Sequence, residues 1–337
     1  MKNQEIKSEN QVIFFNQIQK TLPKNIALVD EISDLLNISP DAAYRRIRGV
    51  KQTSFEETLK LCRHFNISID SLTDVVTDKS YIRCLYSPLN FSSQDTKDYI
   101  GIINGLSDYI ESFRLLPESE IILSAVDIPL FNLYPYKELT IFKLFSWHKS
   151  IYGYATDYET FIKESEITGL YNNFHEKIAK SYQLIPSTEI WTSETIDSVL
   201  RLLNYHFEMK HFSDEKNVLF LCEQLLNLIN TLQDWVEKGK KGKKEVPFNF
   251  FISDADIGNT FVLFKSAESK NCLVRLYTIN ALRISDEGFC METENWLRNL
   301  TQRSTLISKV SERERFKFFN AKKQKIKQLI EKIQSES

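Results

Sequence analysis

Apolar residues in the first 78 positions recur at the three- and four-residue spacing of short helices, with turn residues between them. Residues 12–22 form a first helix, offering Phe14, Phe15 and Ile18 to a core and ending at Pro23. Residues 27–49 (ALVDEISDLLNISPDAAYRRIRG) read as two short helices across a three-residue turn. Val29, Ile32, Leu35 and Leu36 give the first of these an apolar face. Asn37 tolerates the left-handed backbone a tight turn needs, and Ile38 is an inward plug. Ser39 suits the N-cap of the next helix, Pro40 its first position and Asp41 its positive end. On a helical wheel Pro40, Ala43 and Ile47 share the inner side. Asp41, Ala42, Tyr44, Arg45 and Arg48 lie on or near the other. Ser54 and Glu57 then stand in capping-box register. They open a helix whose apolar positions are Phe55, Leu59, Leu61, Cys62 and Phe65, and a last short helix starts over residues 69–72.

After a short extended segment around Pro88 the helical period returns. It predicts helices over residues 95–116, 136–151, 157–164, 169–184, 193–211, 213–238, 289–305 and 312–333. Residues 120–126 (EIILSAV) are a candidate buried strand. FNFFIS, TFVLFK and CLVRLYTINALRI, within residues 248–285, read as three or four antiparallel strands. In the last helix Phe316, Phe319, Ile326, Ile330 and Ile333, with Lys323 in the missing place, follow a coiled-coil seam for about two and a half heptads. Packing against its own domain is the expected use, with a dimer contact as the alternative.

DEISDLLNIS, the arginine–glycine end of the following helix and the closing LKLCRHFNISIDSL resemble the helix-turn-helix domain of the Cro/lambda-repressor (XRE-like) type over about residues 12–74. The resemblance implies sequence-specific binding of double-stranded DNA, usually as a dimer, in transcriptional control. Two residues depart from the family pattern: Asn37 stands where glycine is preferred, and the apolar residue expected near Arg46 falls at Ile47. The candidate DNA-contacting residues are Ser39, Asp41, Ala42, Tyr44, Arg45, Arg46, Arg48 and Lys51. The four basic ones fall within seven residues with no intervening acid. Arginine suits bidentate contact with guanine, so Arg45 and Tyr44 are expected near base edges, with Arg48 and Lys51 on phosphates.

A chain of 337 residues exceeds the usual single-domain size and predicts two folding units. An apolar content of 42% supports real cores, and only 9 glycines and 8 prolines favour long helices over a turn-rich β protein. The net charge of −2 argues against a globally basic nucleic-acid binder and is silent about local patches. Five scattered cysteines fit reduced thiols, the polar MKNQEIKSENQ lacks a signal-peptide core, and no apolar run has the ~20 residues of a membrane span. A cytoplasmic protein with no membrane partner is expected.

Chemistry-bearing motifs are sparse. Asp254, Asp256 and Gly258 begin like a calcium loop, but Lys265 occupies the twelfth position; a hairpin turn between FNFFIS and TFVLFK explains them instead. His206 and His211, five apart on one predicted helix, should diverge, and His148 reads as a hydrogen-bonded core group. No serine elbow, glycine-rich phosphate loop or cysteine–histidine signature is present, so neither an enzyme nor a cofactor or metal is expected. KGKKGKK (residues 238–244) reads as a flexible, solvated basic loop, or else as a second electrostatic foothold on DNA. The aromatic residues of the larger region read as core, with an effector pocket as the other use.

The expected fold is a mainly α helix-turn-helix domain over residues 1–78, a connector over 79–93, and a larger domain over 94–337. The last is α+β, mostly helical, with a small antiparallel sheet. The expected function is a homodimeric transcriptional regulator whose larger domain dimerises and senses a small-molecule or protein effector. The alternative is an antitoxin-like or scaffold protein whose helix-turn-helix serves autoregulation.

Overall fold

Turn chemistry sets the helix ends of the N-terminal region. In the computed structural model, which describes residues 9–23, 26–65, 67, 69, 82, 84–89, 97–153 and 156–336, the chain divides into the units Met1–Arg83 and Cys84–Ser337. The first unit contains α1 (Glu9–Thr21), α2 (Leu28–Leu36), α3 (Pro40–Ile47) and α4 (Phe55–Phe65). Asn37 ends α2 in the left-handed region at φ 53°. The N–H groups of Asn37 and Ile38 donate to the Asp34 and Ser33 carbonyls at 3.3 and 3.0 Å. The Ser39 hydroxyl accepts the Ala42 N–H, and Pro40 opens α3. Gly49, at φ 71°, takes the chain out of α3. Phe14, Phe15, Ile18, Leu28, Ile32, Ala43, Leu61 and Cys62 form the core.

Phe55, expected inside, is 67% exposed. It shares a helix side with Cys62 but lies two turns earlier, at the very start of α4, beyond the reach of the core. The short helix expected over residues 69–72 and the connector over 79–93 fall mostly outside the described residues. Within that second span, however, Cys84–Tyr86 is a strand.

The second unit runs β1 (Cys84–Tyr86), α5 (Lys97–Phe113), β2 (Glu120–Ala125), α6 (Leu130–Leu133), α7 (Lys137–Tyr152), α8 (Tyr158–Thr168), α9 (Asn173–Tyr182) and β3 (Ser187–Trp191). It continues with α10 (Asp197–Glu208), α11 (Glu215–Lys238), β4 (Lys240–Lys241), β5 (Val246–Ile252), β6 (Phe261–Lys265), β7 (Lys270–Arg275) and β8 (Ala281–Ile284). It closes with α12 (Glu287–Gln302), β9 (Thr305–Leu306) and α13 (Glu312–Glu336).

The sheet is not the small antiparallel one expected. Among the described residues it has nine strands in the order β1-β8-β7-β6-β2-β3-β5-β4, with β9 also on β5. β2, β3 and β5 are mutually parallel, joined by helical crossovers as parallel strands require. β6, β7 and β8 form an antiparallel meander. The strand that changes the architecture is β3. It is buried along its whole length, yet its first three residues are Ser187, Thr188 and Glu189, so its sequence carries no apolar run.

Strand alternation divides the apolar side chains between two layers. Val262, Phe264 and Leu273 face the larger helical layer, in which ten consecutive residues of α7, Leu139–His148, are buried. Phe261, Leu263, Cys272 and Val274 face α12, meeting Cys290, Leu297 and Leu300. β5 and β6 do not pair with each other, because β3 and β2 lie between them. The hairpin expected around Asp254 is therefore a loop that crosses over two strands.

KGKKGKK is likewise not a free loop. Gly239 caps α11, Lys240 and Lys241 form β4 against β5, and Lys241 is fully buried. The seam of α13 keeps Phe319, Ile326 and Ile333 from the expected set, while its other three positions fall one residue earlier, at Arg315, Lys322 and Leu329. Arg315, Phe319, Lys322, Ile326, Leu329 and Ile333 are buried, while Phe316 is 65% exposed. Lys322 rather than Lys323 fills the inward slot; its ammonium donates to the Ser193 carbonyl and lies over the Phe318 ring. The helix lies against α11 and α10 of its own unit. Among the described residues no helix is long and apolar enough to cross a membrane.

Candidate functional site

The outward side of α3 carries Asp41, Tyr44, Arg45 and Arg48, all exposed, with Ala42 half-buried and Ser39 and Lys51 exposed at its ends. The Arg48 guanidinium lies over the Tyr44 ring, 5.5 Å from its centroid. Ala43 and Arg46 face inward, and Ile47 packs against the core from a half-buried position. Arg46 was grouped by sequence with the DNA-contacting residues, but it is only 6% exposed. Its Nη2 and Nε donate to the Glu57 carboxylate at 2.8 and 3.2 Å, and its Nη1 to the Ala42 carbonyl at 3.2 Å. The inner slot one turn after Ala43 is thus filled by an ion pair, where the family pattern has an apolar residue. This leaves Ile47 beside the slot and the helix phase undisturbed.

Glu57 does two jobs. Its Oε2 accepts the Ser54 N–H at 2.9 Å while the Ser54 hydroxyl accepts the Glu57 N–H at 3.1 Å, the reciprocal box expected from sequence. Partial burial pushes its carboxyl up, but Arg46 and the Ser54 N–H outweigh this and hold it below the usual carboxylate value. Gln11, singled out by no sequence signal, braces the same region from α1. Its amide donates to the Arg46 and Lys51 carbonyls at 2.7 and 2.8 Å and accepts the Thr53 N–H at 2.9 Å. Three of its bonds go to backbone, which is why no residue pattern reveals it.

Three polar clusters lie inside the second unit. Asp127, 3% exposed, accepts Lys143 at 2.7 Å and Arg275 at 3.0 Å on one oxygen, and Ser198 and the Ile128 N–H on the other. Burial raises its carboxyl, and the two cations reverse this and hold it low. Burial lowers the Lys143 ammonium against the pull of Asp127. Glu189, fully buried on β3, accepts Asn132, Tyr182 and Trp191; desolvation raises its carboxyl. Nearby, Lys241 donates to Ser187 and sits 3.2 Å from the centroid of the Tyr182 ring.

The third cluster corrects the sequence reading of His206 and His211. α10 ends at Glu208, and the chain folds back so that the two Nδ1 atoms lie 2.9 Å apart. Ser146 meets the other nitrogen of His206. Desolvation lowers His206 to about 4, and His211 moves in the same direction for the same reason. His148 is 3% exposed among Tyr99, Tyr152 and Phe161.

Comparison with protein-family models, with curated proteins and with solved structures finds no match to this chain.

Proposed function

We propose that the chain is a DNA-binding transcriptional regulator whose first unit places α3 in the major groove of double-stranded DNA. The observation that carries this reading is the division of labour on α3. Its inner side is occupied by Ala43 and the Arg46–Glu57 pair. Its outer side presents Tyr44, Arg45 and Arg48 with Lys51 just beyond. A short helix that pairs its one buried cation internally and turns Arg45 and Arg48 away from its own core has the shape and charge that groove reading uses. Arg45 is assigned to a base edge and Arg48 and Lys51 to phosphates; Ser39, Asp41 and Ala42 sit at the helix start that approaches the groove. The protein acts as a homodimer, since two modules on a split site multiply effective concentration. The second unit supplies the pairing and the regulatory input.

Capture of genomic fragments by the purified protein, followed by fluorescence anisotropy on the enriched and a scrambled duplex, tests the reading. Arg45→Ala should lower affinity for the enriched site selectively, by about 1–3 kcal/mol. Lys51→Ala should weaken both duplexes alike and flatten the salt dependence. Failure to enrich any sequence overturns the proposal.

A further inference from the structure

The second unit holds a cavity of about 430 Å³ between α5 and one face of the sheet. Strand register builds its floor. Leu85, Arg283, Leu273 and Val262 are paired neighbours in a single row across β1, β8, β7 and β6, and Arg275 with Ala281 starts the next row. The roof is a stripe of α5 carrying Gly101, Gly105 and Tyr109 at four-residue spacing, and the turn from Asp127 to Phe131 adds a wall.

Two independent features of this cavity point to an occupant. Glycine inside a helix is less favourable than alanine, yet Gly101 and Gly105 sit in α5, where an added methyl meets no heavy atom within 4 Å. Among the described residues no neighbour requires them, and their effect is to keep the cavity wide.

The second feature is charge. Arg275 and Arg283 occupy diagonal positions on adjacent strands, within reach of each other on a mostly apolar floor. Asp127 meets Arg275 but also Lys143, so that trio keeps one net positive charge. Arg283 lies over the Tyr109 ring, 5.1 Å from its centroid, and among the described residues no carboxylate pairs with it. The buried Tyr109 hydroxyl also has no hydrogen-bond partner among them.

We propose that this cavity binds a monocarboxylate with an extended apolar body, of the medium-chain fatty-acid type. The carboxylate meets Arg283 and Arg275, and the chain runs along Gly101 and Gly105. A cation is repelled by the two guanidinium groups, and a neutral chain leaves Arg283 without a counter-charge. The volume suits a small ligand. The site concerns the second unit alone and stands whether or not the first unit binds DNA.

Isothermal titration of the full chain with decanoate, decanol and decyltrimethylammonium tests the proposal. Decanoate is expected to bind once per chain, at least about tenfold more tightly than either analogue. Arg283→Gln should weaken decanoate about tenfold and leave decanol unchanged. Gly105→Leu, which narrows the cavity beside Tyr109, should leave the melting temperature unchanged or higher and weaken decanoate binding at least about tenfold; it decides the matter if Arg283→Gln does not fold. The proposal is overturned if decanoate does not bind at about 1 mM, if decanol binds equally well, or if the folded Gly105→Leu chain binds decanoate as tightly as the parent.

Discussion

Arg46 and Glu57 join α3 to α4 through two N–H···O bonds, and the same carboxylate caps α4 through Ser54. The pair therefore holds two helices in register and finishes a helix end with one side chain. Glu57→Gln keeps an acceptor for the Ser54 N–H but removes the charge from the pair. It should cost the first unit about 1–2 kcal/mol, and Glu57→Ala more. Hydrogen exchange of α3 and α4 peptides in the full chain measures both. Because the folded unit holds this carboxyl below its ordinary value of 4.5, its stabilisation is complete above that value. It is lost as pH falls through the lowered one. Glu57→Gln should erase that acid-side loss.

Arg45 and Arg46 are sequence neighbours with opposite surroundings, one exposed and one 6% exposed. Arg45→Ala should leave thermal stability within about 0.5 kcal/mol, as for ordinary surface changes, while reducing binding to the enriched duplex. Arg46→Ala should lower the melting temperature by leaving Glu57 unpaired in a half-buried place. Equal melting temperatures for the two variants would contradict the assignment of Arg46 to the interior.

Asp127 and Lys143 form a buried pair in which the two partners are not equivalent. Removing the carboxylate with Asp127→Asn leaves the Lys143 ammonium without an anion in a dry site, at a cost of about 3–5 kcal/mol. Lys143→Met leaves Asp127 with Arg275 still 3.0 Å away, so it should cost clearly less. Chemical denaturation of both variants checks the order; the reverse order would mean that Arg275 does not compensate.

His206 and His211 share one proton across a 2.9 Å contact, since a hydrogen bond between two Nδ1 atoms needs one donor and one acceptor. Protonating both turns both into donors and breaks it. With His206 lowered from 6.5 to about 4, the unfolded chain takes up a proton that the folded chain refuses. Stability should therefore decline as pH falls below 6.5 and level off near 4, by at most ~3 kcal/mol from this group. His206→Gln should flatten that slope, read from denaturation midpoints at stepped pH. An NMR titration should find His206 neutral at pH 5.

Local signals were legible where a short stretch of chain makes its own structure. The turn at Asn37, the Ser39 cap, the reciprocal box of Ser54 and Glu57, and the apolar α7 were all readable because each depends on residues within one or two turns. The outward placement of Tyr44, Arg45 and Arg48 followed from helix phase alone. Arg46 did not, because a buried cation reads as a surface one until its partner, eleven residues away, is in place.

The larger errors share that origin. β3 is central and parallel, yet Ser187, Thr188 and Glu189 look like a loop. Their burial is made possible by Asn132, Tyr182 and Lys241, which come from other elements. In α13 Lys322 took the inward slot expected for Lys323, with the distant Ser193 carbonyl as its partner. His206 and His211 met because the helix ended between them. Sequence by itself determined the turn at Asn37, the caps at Ser39 and Ser54 and the outward side of α3, since these rest on spacing and on hydrogen bonds a few residues long. Tertiary structure alone decided which polar groups are buried, the mixed order of the sheet and the cavity under α5. Each of these depends on distant partners and on strand register, which no local pattern encodes.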